Sequence, residues 1–127
     1  MNATAPAVSL SMAAMTIDCA DPAGLAEFWG KVLSRPVSLA AGPGNATVDP
    51  TDPASGPQLF FQKVPGSKTV KYRLHLDLCT EHYEEETERL AGLGARPLNE
   101  IKVLGARRTT FADPEGNEFD LLTFQSE

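Results

Sequence analysis

The amino-acid sequence predicts a single α+β domain made of two similar βαβββ modules. Three features point to this fold. Segments 11–36 and 72–97 share a hydrophobic pattern at an offset of 61 residues, which aligns residue 11 with residue 72. Each segment changes from the two-residue alternation of a strand to the spacing of apolar residues in a helix. Each is followed by short apolar runs that turn-forming residues separate.

The repeat is clearest in the helical part of each segment. At this offset Arg35–Pro36 falls on Arg96–Pro97, while Ile17, Trp29 and Val32 fall on Leu78, Leu90 and Leu93. Few residues are identical, but the apolar positions agree throughout. This agreement is expected when two copies of one structural unit pack into a common core.

The first module opens with a predicted strand and helix. Alternate positions of the strand are Ala13, Met15, Ile17 and Cys19. Asp21 is the predicted N-cap, with Pro22 at the first helical position. Apolar residues then follow at helical spacing, and they are Leu25, Phe28, Trp29, Val32 and Leu33. We expect this aromatic stripe to pack on the sheet.

The second module repeats this arrangement. Leu74, Leu76 and Leu78 lie on one face of its predicted first strand. Thr80 is the predicted N-cap of the second helix, and the glutamates that follow suit the positive end of the helix dipole and a solvated face. Gly94 is the predicted left-handed residue that ends the helix.

The remaining strands are predicted at residues 36–40, 47–48 and 58–64 in the first module and at 101–104, 107–112 and 118–124 in the second. Residues 42–44 and 49–57 are loops by composition, and the longer one has the length of a rim or flap. Asp113 to Asn117 is predicted as a tight reversal whose acids form the turn. The aromatic side chains other than Phe60 are predicted mostly in the core, and Cys19 and Cys79 as small buried residues.

Composition bounds the function. With 127 residues, 42% of them hydrophobic, the chain has room for one domain at 11–127, with modules at about 11–64 and 72–125, after a flexible arm at 1–10. A net charge of −6 argues against nucleic acid and anionic membranes as partners. No run approaches the ~20 apolar residues of a membrane span, and residues 1–10 lack the features of a secretory signal. We therefore expect a cytoplasmic protein.

Three segments, RLHLDL, ERLAGLGA and FADPEGNEFDLL, together resemble the second half of a glyoxalase-like domain. The chain thus resembles the glyoxalase/bleomycin-resistance/dioxygenase (vicinal oxygen chelate) superfamily over residues 11–125. The resemblance implies a curved, cup-shaped mixed sheet with the helices outside, and often a homodimer. It also implies that metal-dependent members carry ligands on the first and last strand of each module.

The resemblance places candidate site residues on the second module. His75 and Asp120 occupy its two ligand positions and are the candidate catalytic residues. Alternation places Arg73, His75 and Asp77 on the face opposite the leucines, which would line the cup. With Phe60, these residues and Asp120 are the predicted ligand-binding set. His75 is interpreted as a hydrogen-bonded stabiliser of the cup, a general base, or a metal ligand.

The first module offers Ala14 and Phe60 at the corresponding positions, so half of the family's ligand set is missing. We therefore predict no cofactor; a divalent metal would need Gln62, Asp18 or a second chain as additional ligand. The favoured function is binding of a small apolar or planar metabolite or drug, as in the bleomycin-resistance branch, with no chemistry.

Two alternatives stay open. One is a lyase, isomerase or dioxygenase-type enzyme that uses His75 and Asp120 for acid/base or metal-assisted chemistry. The other is a structural interaction module, whose cup would be packed shut. Arg73, Arg107 and Arg108 are candidates for binding a carboxylate on a ligand. The sequence identifies neither the ligand nor whether the modules pair within or between chains.

Overall fold

The computed structural model describes residues 12–39, 44–52, 55–65, 76–103 and 105–124. These residues contain the strands β1 (Ala14–Cys19), β2 (Val37–Leu39), β3 (Asn45–Val48), β4 (Gln58–Lys63), β5 (Leu76–Cys79), β6 (Arg96–Val103), β7 (Ala106–Ala112) and β8 (Glu118–Phe124), and the helices α1 (Pro22–Leu33) and α2 (Tyr83–Leu93). The order is βαβββ twice, which confirms the predicted α+β fold. The arm at 1–10, Arg73 and His75 lie outside the described residues.

The two modules have the same topology. Their four-stranded sheets have the orders β1-β4-β3-β2 and β5-β8-β7-β6. In each sheet the first strand is parallel to the last, and the other pairs are antiparallel. The crossover through a helix makes the parallel pair possible. The offset seen in the sequence therefore corresponds to a structural repeat.

The helices begin and end close to the predicted residues. The Asp21 carboxylate accepts from the Gly24 amide at 3.2 Å, as predicted for the N-cap of α1. Gly94 ends α2 with a φ of 113°. The prediction of Thr80 as N-cap of α2 is wrong: His82 occupies that position, and the Thr80 hydroxyl accepts from the His82 amide in the turn before the helix. Neither helix in the described ranges is long and apolar enough to cross a membrane.

Strand β6 differs most from its prediction. It begins at Arg96, well before the predicted start at residue 101. A proline inside a strand normally argues against the assignment, because it cannot donate to the ladder. Here the register shifts between Pro97 and Asn99, and β6 is an edge strand, so one side of it needs no partner. The bulge and the edge position accommodate Pro97.

One hydrophobic core is shared by both modules. Trp29 on α1 packs against Phe119 on β8 with ring centroids 4.8 Å apart, and Phe111 on β7 stacks on Phe119 at 5.6 Å. Two predicted core residues are wrong. Phe124 is 70% exposed, and Cys79 is exposed. Both occupy alternate strand positions that point away from the helices.

The reversal between β7 and β8 joins the modules. It forms the predicted turn, with the Gly116 amide donating to the Asp113 carbonyl at 2.8 Å. Its acids also hold the first module, which the sequence did not predict. The Glu115 carboxylate accepts from the amides of Ala20 and Asp21, each at 2.8 Å, and the Asp113 carboxylate accepts from the Trp29 indole at 3.0 Å.

Candidate functional site

Each sheet has one face toward the helices and one face away from them. In the second module, Thr109, Phe111, Phe119 and Leu121 are buried on the helix side, and the Thr109 hydroxyl bonds to the Tyr83 hydroxyl of α2. Side chains at the intervening positions therefore lie on the opposite face. We call that face of either sheet the cup face, because it is where the superfamily resemblance placed the site.

The cup face of the second module carries a row of four polar residues. The strand register aligns Asn99 with Thr110, Thr110 with Asp120, and Asp120 with Asp77. Asp120 is only 6% exposed, and its carboxylate accepts from the Thr110 hydroxyl at 2.6 Å. A buried carboxylate needs such donors. The structure thus brings together the predicted site residues Asp77 and Asp120 on neighbouring parallel strands.

The equivalent row of the first module is different. There the register aligns Ser38 with Thr47, Thr47 with Phe60, and Phe60 with Thr16. Phe60 is half-buried and lies where the second module has Asp120; Thr16 lies where it has Asp77. Ala14, two residues before Thr16, is exposed on the same face. The predicted correspondence between Phe60 and Asp120 is therefore a structural one.

The described residues of these rows, which do not include His75, offer two carboxylates as metal ligands, Asp77 and Asp120. A catalytic divalent ion generally takes three or more protein ligands, and the described residues contain no cluster of three His, Cys, Asp or Glu side chains. The first module supplies a hydroxyl and a phenyl ring where the second supplies two carboxylates. The auxiliary ligands considered from sequence, Asp18 and Gln62, hydrogen-bond to each other at 3.2 Å.

A second polar cluster lies on the first module and was not predicted. The Asp49 carboxylate accepts from Ser38 at 2.7 Å, from Thr47 at 2.9 Å and from Gln58 at 3.0 Å. These hydrogen bonds, that of Ser38 first, lower the pKa of Asp49 below its ordinary value. The cluster joins β2, β3 and β4. The sequence signal for this cluster was that β2, β3 and β4 each carry a polar residue on the cup face: Ser38, Thr47 and Gln58.

The loop after Asp49 is held on the first module where the structure describes it. The Arg35 guanidinium donates to the carbonyl oxygens of Ser55 and Pro57. The Thr51 amide donates to the Ser55 hydroxyl at 3.1 Å. These contacts hold both ends of the loop for which the sequence predicts a rim or flap.

The described residues form a shallow pocket of about 310 Å³ beside the Asp77–Asp120 row. Its lining consists of Ile101, Ala106, Arg107, Arg108 and Leu122. The guanidinium of Arg107 points to the helix side, where it contacts Glu84 at 2.6 Å and Glu100 at 2.9 Å and lies over the Tyr83 ring. Two of the guanidinium nitrogens of Arg107 are thus occupied by glutamates, although the residue also contributes to the pocket lining. Arg108, one residue later, lies exposed on the cup face.

Comparison with known proteins assigns this architecture to a protein family. Residues 14–122 match the family model of the glyoxalase-like domain. The chain belongs to this family, within the vicinal oxygen chelate superfamily.

Solved structures agree with this placement. The fosfomycin resistance protein FosX from Listeria monocytogenes, as a mutant complexed with Mn(II) and dihydroxypropylphosphonic acid, is 19% identical, with a TM-score of 0.70 over 91% of this chain and 90% of that chain. TioX from Micromonospora sp. ML1 is 18% identical, with a TM-score of 0.64 over 90% and 98%. The oxidase ChaP-H2 is 19% identical, with a TM-score of 0.68 over 91% and 94%. At these identities the likeness concerns the fold. No curated protein sequence matches the chain.

Proposed function

We propose that this glyoxalase-like protein binds a small planar or largely apolar molecule on its cup face, without a resident metal. One observation carries the proposal: half-buried Phe60 occupies, by strand register, the position that Asp120 occupies in the second module. An aromatic ring offers a face for stacking and binds no divalent ion. The replacement favours recognition of a ligand surface over polarisation of a ligand oxygen.

The polar groups on the cup face of the second sheet support the same function. Small-molecule sites are mostly apolar, with a few polar groups that orient the ligand. Asp120 is held by Thr110 in one orientation and lies beside Asp77 in the register. We propose these two carboxylates as the orienting groups, with Arg73 and His75, which precede β5 in the sequence, completing the set.

Titration with a neutral planar probe tests the proposal. Indole carboxamide is added to isotope-labelled protein, and amide chemical shifts give the affinity and the location of binding. We expect Phe60→Ala to weaken binding by roughly five- to tenfold, because an aromatic contact contributes about 1 kcal/mol. Leu39→Ala is the matched control, since Leu39 is 65% exposed on the opposite face of the first sheet. It should leave the affinity unchanged.

Two results would contradict the proposal. The first is equal binding by wild type and Phe60→Ala, with folding of the variant verified by its spectrum. The second is a stoichiometric divalent metal in protein purified without chelator that Asp120→Ala removes. That second result would favour the alternative of a lyase, isomerase or dioxygenase-type enzyme acting through His75 and Asp120, for which the neighbouring carboxylates of Asp77 and Asp120 are the structural argument.

A further inference from the structure

The pocket on the second module lies on a row that the first module does not reproduce. The register aligns Ile101 with Arg108, Arg108 with Leu122, and Leu122 with Cys79 across all four strands. The equivalent residues of the first module are Asn45, Gln62 and Asp18, which are all polar. At the three positions that can be compared, Arg108 thus replaces Asn45, and Leu122 and Cys79 replace Gln62 and Asp18. This difference belongs to one module only, so the shared fold does not require it.

The charge of Arg108 is not used within the described part of the chain. Its guanidinium forms no hydrogen bond or ion pair with another described residue, whereas Arg107 is bound by two glutamates. Arg108 is exposed on the cup face, with Ile101 on one neighbouring strand and Leu122 on the other. A guanidinium between apolar walls is an arrangement that recognises a planar oxyanion, because it donates two parallel hydrogen bonds in a fixed geometry.

From this geometry we infer that the pocket binds the carboxylate end of a small apolar molecule, with Arg108 as the recognising group. The inference rests on the proposed function for the kind of molecule that is bound, and it places the carboxylate on the second sheet, whereas Phe60 lies on the first. The volume of about 310 Å³ lies at the lower end of the range of small-molecule sites.

The acidic neighbours set the orientation of this ligand. Asp77 and Asp120 occupy the adjacent row, two residues along β5 and β8. They repel a second negative charge, and the net charge of −6 disfavours anions over the molecule as a whole. The carboxylate therefore lies at Arg108, on the side away from Asp120. The apolar body contacts Ile101, Ala106 and Leu122, and its other end extends toward the polar row.

A matched pair of probes tests the inference. Indole carboxylate and indole carboxamide have the same shape and differ in charge, and both are titrated into labelled wild-type protein and two variants. Arg108→Gln removes the guanidinium charge from the pocket. Lys31→Gln makes the same change in net charge on the exposed side of α1, where Lys31 pairs with Glu27. We expect wild type to prefer the carboxylate, with shifted amides at Ile101, Arg108 and Leu122.

The expected effect is a loss of about tenfold in carboxylate affinity in Arg108→Gln, as for one exposed charge-assisted pair. Carboxamide affinity should not change in this variant, and Lys31→Gln should bind both probes like wild type. Equal affinity of wild type for the two probes, or shifts confined to other residues, overturns the inference. In either case a loss of carboxamide binding in Phe60→Ala still supports the proposed function. Failure of both probes to bind overturns both.

Discussion

At the scale of single residues, strand parity decides what a side chain can do. Cys19 and Cys79 are the same residue type near the ends of equivalent strands, yet Cys19 is 5% exposed and Cys79 is exposed. Burial, with Glu115 as the next cause, raises the pKa of the Cys19 thiol to about 11. Since the thiolate is the reactive form, the two cysteines should differ strongly in reactivity.

We predict a single fast thiol in the folded protein. With a disulfide reagent at pH 8, Cys79 should react first, because about one Cys19 thiol in a thousand is ionised at this pH and the side chain is also shielded. The measurement is the time course of the released chromophore. Cys79→Ser should remove the fast phase, and Cys19→Ser should leave it intact. Release of two equivalents of chromophore in a single fast phase would show that Cys19 is not buried as described.

Strand parity also separates Arg107 from Arg108, which are neighbours in the sequence but lie on opposite faces of the second sheet. The sequence offered both as candidates to bind a carboxylate, and the structure separates them by one position on β7. The signal was present in the alternation: Phe111, Thr109 and Arg107 share a face, so an apolar Phe111 in the core places Arg107 on the helix side. Its two glutamate partners come from α2 and β6, which only the tertiary structure shows.

At the scale of elements, the reversal between β7 and β8 is held by one carboxylate. Asp113 is 5% exposed and accepts from the amides of Glu115 and Asn117, from the Asn117 side chain and from the Trp29 indole. Four donors on one buried acceptor bind the turn and α1 together. Loss of that acceptor leaves several donors unsatisfied, which costs more than the loss of one surface hydrogen bond.

We predict that Asp113→Ala lowers the free energy of unfolding by about 2–3 kcal/mol, because buried donors lose their acceptor. Urea denaturation followed by tryptophan fluorescence measures the change. Asp113→Asn keeps one acceptor oxygen and should have a smaller effect. Glu81→Ala, an exposed acid before α2, is the control and should lie within about 0.5 kcal/mol of wild type. A loss below that value in Asp113→Ala would mean that the turn does not depend on this carboxylate.

The elements show where prediction from the sequence succeeded and where it stopped. Local signals were sufficient for α1, since Asp21 caps it and Pro22 starts it, and for the end of α2 at Gly94. They were insufficient for β6, because the bulge after Pro97 depends on pairing with β7. For the site, parity placed Phe60 on the cup face of the first sheet, and Asp77 and Asp120 on the cup face of the second. The bond from Thr110 to Asp120 could not be predicted, since it needs the register of strands that the turn aligns.

At the scale of the whole molecule, the two modules form one folding unit. Trp29 and Phe28 of the first module pack on Phe119 of the second, and the core cluster includes residues from both. The Arg89 guanidinium of α2 also donates to the carbonyl oxygens of Lys31 and Val32 at the end of α1. Because the core residues come from both modules, we expect neither module to retain its core after the other unfolds. The sequence repeat thus describes two halves of one domain that depend on each other.

The Glu115 carboxylate links these halves at the point where the first strand turns into α1. Each of its oxygens accepts one backbone amide, from Ala20 and from Asp21. In Glu115→Gln the carboxamide keeps only one acceptor oxygen, so one of the two amides loses its partner. We predict exchange of that amide with deuterium about five times faster, because a single exposed hydrogen bond contributes about 1 kcal/mol.

Hydrogen exchange followed by NMR resolves the two amides and the core at once. Amides of Phe111 and Phe119 should keep their wild-type rates in Glu115→Gln, since the shared core does not require this bond. Glu27→Gln, on the exposed side of α1, is the control for the change in charge. Unchanged rates at Ala20 and Asp21 would show that the carboxylate does not hold the junction. Faster exchange throughout the core would mean that the turn, more than the aromatic packing, keeps the two modules together.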